Sequence, residues 1–214
     1  MTALTVAPVA APVAAPELDR LLAEVRACRA CEALLPLGPR PVLRAAASAR
    51  IVIAGQAPGT AVHASGIPWD DPSGERLRGW LALDRETFYD PRRIAIIPQG
   101  FCYPGRLPRG GDRPPRPECA ALWHQRLFAL LPAVELTLVV GRYAQAYHLG
   151  SDARATVRKT VGETVAAWRD YLPRYLPLPH PSWRTIAWVR RNPWFEAETL
   201  PAARQAVHAL LGAD

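Results

Sequence analysis

Residues 50–59 read Arg-Ile-Val-Ile-Ala-Gly-Gln-Ala-Pro-Gly, with the apolar run ending at Ala54 and the turn spanning Gly55 to Gly59. A short apolar run of this kind suits a strand covered on both faces, and its break into glycine marks the carboxyl end as a place where a ligand can approach backbone. Working outward, similar runs stand at 94–98 and 136–140, and helical stretches are expected at 17–30, 74–82, 118–131, 142–149, 160–171 and from about 196 onward. Short strands alternating with helices predict an α/β fold, a three-layer α/β/α sandwich around a central, mostly parallel sheet. In such folds ligands bind beyond the carboxyl ends of the strands. Three segments fall there: 55–59, 98–102 and 178–182, the last reading Leu-Pro-His-Pro-Ser.

The 214 residues suffice for one such domain with a sizeable core, and there is no internal repeat. Residues 1–16 are an Ala/Pro/Val run that reads as a disordered tail, leaving 17–214 as the folded unit. No stretch of 18 uncharged apolar residues is present, so a soluble, cytoplasmic protein is expected, in a compartment that keeps thiols reduced. The net charge of +7 and isoelectric point near 9.7 favour a polyanionic partner. Solvated surface charge gives the same total, so the arginine-bearing segments 106–116 and 184–191, mixed with Pro, Gly and Trp, carry more weight than the sum.

Four cysteines add a second kind of chemistry. Cys28 and Cys31 form a Cys-x-x-Cys pair, and Cys102 and Cys119 follow far along the chain, 16 residues intervening between them. A tight pair with distant partners is a metal framework, and four thiolates serve an iron–sulfur cluster or tetrahedral zinc equally by count.

In chain order, the turn at 55–59, Gly66-Ile-Pro-Trp69, the distant cysteines and the late His180-Pro181-Ser182 resemble the uracil-DNA glycosylase superfamily, most closely its iron–sulfur branch, often called family four. The resemblance covers about residues 25–210. It implies a 4Fe-4S cluster on Cys28, Cys31, Cys102 and Cys119, with zinc as the alternative. It also implies a DNA glycosylase of base-excision repair, with DNA containing a damaged base as its expected partner, acting as a monomer without a membrane. The substrate it implies is a deaminated base, uracil first, with hypoxanthine or xanthine as other lesions.

Excision requires extruding the nucleotide, gripping the base and stabilising negative charge as it departs from an oxocarbenium-like sugar. Gly55, Ala57, Pro58 and Gly59 offer backbone close to the base, Gln56 joins them as a catalytic candidate, and Trp69 offers a stacking face or, alternatively, a core aromatic. His180, stiffened by Pro179 and Pro181, is the expected donor to the departing base. Ser182, Trp183 and Arg184 are expected on DNA, Trp183 as a wedge and Arg184 on phosphate.

Departures from the family pattern bear on the substrate. Gln56 stands where family four has glutamate, Ala57 where the classical enzymes carry a water-activating carboxylate, and Pro98 where family four has a base-reading asparagine. Gln99 is the expected replacement reader, because an amide presents both donor and acceptor. His63 is a candidate to orient water; Asp70 and Asp71 share that candidacy with the plainer role of capping a helix. Two other functions stay open: a nucleic-acid-binding protein of this fold without catalysis, and a zinc-stapled domain acting on a free nucleobase.

Overall fold

The computed structural model describes residues 15–108, 110–152 and 157–212. Residues 1–14 of the expected tail lie outside them, while Ala15 and Pro16 already belong to the first helix, α1 (Ala15–Arg26).

Four strands form the sheet: β1 (Ile51–Ala54), β2 (Ile94–Ile96), β3 (Leu136–Val140) and β4 (Tyr175–Leu178). All neighbours are parallel, in the order β2-β1-β3-β4, with Ile51 level with Ile94 on one side and Leu136 on the other. Successive side chains point to opposite faces of a strand, so each strand feeds two cores. Val52, Ala54 and Val139 pack with Leu18, Leu22 and Val25 of α1. Ile51, Ile53, Leu136, Leu138 and Val140 pack on the other face, with α3 (Pro72–Leu81) and α10 (Leu200–Leu211). Each fully buried aliphatic side chain contributes about 1.5–3 kcal/mol. The result is the expected three-layer α/β/α sandwich, its sheet parallel throughout.

The remaining helices are α2 (Thr60–Ser65), α4 (Arg85–Tyr89), α5 (Pro117–Cys119), α6 (Gln125–Ala129), α7 (Arg142–Gly150), α8 (Val161–Ala166) and α9 (Thr185–Arg191). Local signals explain several boundaries. Asp71 caps α3 by accepting from the Gly74 amide at 2.8 Å, with Pro72 in the first turn, and Thr160 with Glu163 forms a reciprocal capping box on α8.

Two expected helices are broken. The stretch 118–131 passes through a π turn, Ala120–His124, which seats the His124 ring in the core with Nε2 donating to the Pro98 carbonyl at 3.1 Å. The stretch 160–171 leaves α-helical geometry at Ala167 and continues as a 3-10 turn, Trp168–Asp170, that buries Trp168.

The chain leaves β1 toward β2 and later returns to place β3 on β1's other side, so the order reverses between β1 and β3. A crevice opens beyond the carboxyl ends of such strands. Here the two ends continue as Gly55–Gly59 and Gly141, and a cavity of about 840 Å³ lies over them.

Candidate active site

Three loops wall this cavity: the turn 55–59 after β1, residues 106–107 and 110–112 after β2, and the segment 179–185 after β4. Each is held by specific contacts. Gln56 lines the cavity and donates through Nε2 to the Arg113 carbonyl at 3.3 Å, tying the first loop to the second. The second is a hairpin: Arg106 bridges Asp112 in antiparallel fashion, and the Leu107 amide donates to the Gly111 carbonyl at 2.9 Å. The third is pinned by Arg76, whose Nη1 donates to the Pro181 carbonyl at 2.7 Å, and by Thr185, whose hydroxyl donates to the His180 carbonyl at 2.5 Å.

Trp69 forms a wall of this cavity while its ring also packs against the core, combining the two roles read from the sequence. Its φ of 57° lies in the left-handed region, disfavoured for a bulky residue. Tyr89 helps to hold it there, donating its hydroxyl to the Trp69 carbonyl at 3.0 Å. Two glycines make the room. A Cβ on Gly55 would lie 2.7 Å from Trp69 Cζ2, and one on Gly74 would lie 1.8 Å from the Trp69 carbonyl oxygen. The Cζ2 edge of the indole therefore packs closely against the turn, and its ring centre is 5.7 Å from that of His180.

His180 is aimed into the same cavity, half-buried, and burial pushes its pKa below the usual imidazole range despite the opposing pull of the Asp71 and Asp112 carboxylates. A neutral ring retains one N–H to donate. Behind it Gly141, at φ 81°, leaves no room for a side chain: a Cβ there would lie 3.3 Å from the His180 Cβ.

Ser182, Trp183 and Arg184 stand at the cavity mouth, where Trp183 is 72% exposed and Arg184 lies over its ring at 5.3 Å. Arg184 reaches across to the hairpin, since a Cβ on Gly111 would meet its Nη1 at 3.2 Å. Among the described residues it has no acidic partner, leaving its charge open to an anion.

Two expected site residues stand elsewhere. Gln99 is 5% exposed and turned into the core, its Nε2 3.1 Å from Nε2 of His148, so Pro98 rather than Gln99 lines the cavity. Polar partners beneath the sheet edge claim an amide that the sequence leaves free to point either way. His63 is also outside the lining: its ring faces Tyr103 at 6.2 Å, and burial together with Arg40 lowers its pKa. Of the two second-rank carboxylates, Asp70 is engaged by Arg85 at 2.8 Å and stands off the cavity, whereas Asp71 lines it while capping α3. Sequence reading passed over Asp112, which lines the cavity in the hairpin after Gly110-Gly111. Burial raises its pKa, moderated by Arg106 and His180. The Gly-Gly turn was its one visible signal.

Away from this cavity, Cys28, Cys31, Cys102 and Cys119 line one small pocket and none forms a disulfide. Cys119 Sγ accepts from the Phe101 amide at 3.4 Å, the kind of bond that supports a thiolate. As free thiols Cys102 and Cys119 resist ionisation: burial pushes the first up to about 11 and the second to about 12. Among the described residues no group of three or more His, Cys, Asp or Glu side chains is placed to hold a metal ion. The four thiols share one pocket, and by donor chemistry four thiolates suit an iron–sulfur cluster or tetrahedral zinc alike. No described helix is long and apolar enough to cross a membrane.

A family model described as the uracil DNA glycosylase superfamily matches residues 43–204, more than half of the chain. The match takes in all four strands and the three loops around the cavity, and it begins after Cys28 and Cys31.

Proposed function

The chain belongs to the uracil-DNA glycosylase superfamily, whose members are DNA glycosylases acting on DNA, and from that premise we propose that it flips a deaminated base, uracil first, out of DNA and hydrolyses its bond to deoxyribose in base-excision repair. The observation that carries the reading is the convergence of His180, Trp69 and the backbone of 55–59 on one cavity at the crevice between β1 and β3.

In this reading the extruded base stacks on Trp69, whose place against the turn depends on Gly55 having no side chain. The base-sugar bond breaks with its electron pair moving onto the base. His180, kept neutral by burial, donates its N–H to the base oxygen where that charge develops, a contribution of a few kcal/mol for one preorganised donor. Gln56 holds the turn against the hairpin through Arg113, which makes it a positioning residue in this account. Outside the cavity, Arg184 meets phosphate, and Trp183 fills the gap in the stack.

Cys28, Cys31, Cys102 and Cys119 would hold a 4Fe-4S cluster. When bound, it would supply a structural staple between the segment following α1, the loop after β2 and the end of α5, segments far apart in sequence.

The test is release of free base from single- and double-stranded oligonucleotides bearing uracil, hypoxanthine or xanthine. Uracil release with an abasic product is expected. Tight DNA binding with no base released from any of them would leave only the non-catalytic reading.

A further inference from the structure

Hydrolysis needs a second group, on the sugar side, that the proposed function leaves unassigned. Among the described residues two carboxylates line the cavity, Asp71 and Asp112, and they are differently committed. One oxygen of Asp71 is taken by the Gly74 amide at the start of α3. The Asp112 side chain has no hydrogen bond or ion pair among the described residues. It is nevertheless firmly positioned: the backbone bridge to Arg106 fixes it, and Arg113, next in the chain, donates its amide to the Gly105 carbonyl at 2.8 Å and accepts from Gln56. Its Oδ2 would lie 3.7 Å from a Cβ on Gly59, so the carboxylate faces the turn against which the nucleotide must lie. A carboxylate without a hydrogen-bond partner, on a hydrogen-bonded hairpin and lining the same cavity as the donor that receives the leaving base, is the arrangement a dissociative hydrolysis uses.

We infer that Asp112 is the catalytic carboxylate of this chain, facing the oxocarbenium-like sugar and taking the proton from the attacking water. The inference rests on the glycosylase reading. The step balances: the C1′–N bond breaks with its pair going to the base, whose anion is held by the His180 N–H; the water oxygen bonds to C1′; and a water proton passes to Asp112. Solvent then takes that proton, and the base anion is protonated from solvent. Asp112's position was invisible in the sequence because it comes from the hairpin after β2 and not from the turn after β1.

The test is Asp112→Asn, which keeps the shape and removes the charge. Because the side chain makes no structural bond, the variant should melt with the parent, and it should bind an oligonucleotide carrying a non-hydrolysable 2′-fluoro nucleotide as the parent does. Single-turnover release of uracil should fall roughly 10²–10⁴-fold, the range for a positioned acid–base group. The pH profile separates this role from a structural one. Protonated Asp112 cannot accept a proton, so the parent rate falls as pH drops through its pKa, which burial has raised. The groups facing it are His180 after β4, Asp71 at the start of α3, Tyr103 in the segment after β2 and Arg106 on its own hairpin. Asp112→Asn should lose the acid limb that belongs to the carboxylate. A variant rate within about threefold of the parent, or a slow variant that keeps the whole acid limb, overturns the assignment. A parent that releases no base removes the glycosylase reading itself, and this inference with it.

Discussion

Helix α3 carries two glycines for which the structure predicts opposite responses to the same substitution. An ideal Cβ on Gly74 would stand 1.8 Å from the Trp69 carbonyl oxygen and 2.6 Å from its carbon, where real Cβ contacts essentially never fall below 3.0 Å. Gly74→Ala therefore forces α3 and the Trp69 backbone apart by more than an ångström. Overpacking of this kind costs about 1–3 kcal/mol, and the obstacle here is backbone, which places the cost at the upper end. Better helix propensity returns about 0.8–1 kcal/mol. The net loss of about 2 kcal/mol corresponds to a melting temperature lower by roughly 4–8 °C for a protein of this size. Gly79 has no neighbour within 4 Å of its would-be Cβ, so Gly79→Ala should gain about 0.4–1 kcal/mol and raise the melting temperature slightly. Thermal unfolding followed by circular dichroism reads both. Gly74→Ala should also lose glycosylase activity before it unfolds, because the displaced segment carries the cavity wall. A Gly74→Ala variant melting at or above the parent would refute the claim that this glycine exists to let Trp69 adopt its left-handed backbone.

Two further perturbations address the DNA surface and the cysteines. Arg184→Ala should weaken DNA binding with little dependence on sequence and reduce the slope of log affinity against log salt by about one, measured by fluorescence anisotropy; an unchanged slope would remove Arg184 from the interface. Protein purified anaerobically should be brown with about four irons per chain, and Cys102→Ser should lose colour and thermal stability together; colourless protein with stoichiometric zinc would show the metal assignment to be wrong.

The fold was legible because strands buried on both faces must be continuously apolar: β1 and β3 stand out for that reason, and each ends in glycine. Local capping chemistry made α3 visible through Asp71 and Pro72. The short helices α2, α4 and α9 were not visible, since five to seven residues give too little periodicity to register. At the site, the residues read from backbone-limited motifs, those of the turn 55–59 and the stiff His180 loop, do line the cavity. The misplacements concern side chains whose direction depends on distant partners. Gln99 is drawn inward by His148, 49 residues away, and His63 turns toward Tyr103 on another loop. Asp112 was missed for the converse reason: only its backbone bridge with Arg106 brings it opposite Gly59.

The central claim is that one neutral imidazole in this cavity carries much of the chemistry, and single-turnover release of uracil by His180→Ala beside the parent tests it most directly. The account predicts a fall of roughly 10²–10³-fold, the scale for deleting one preorganised donor to a developing oxyanion, with DNA affinity changing far less. Release at the parent rate would contradict it and make His180 a structural residue.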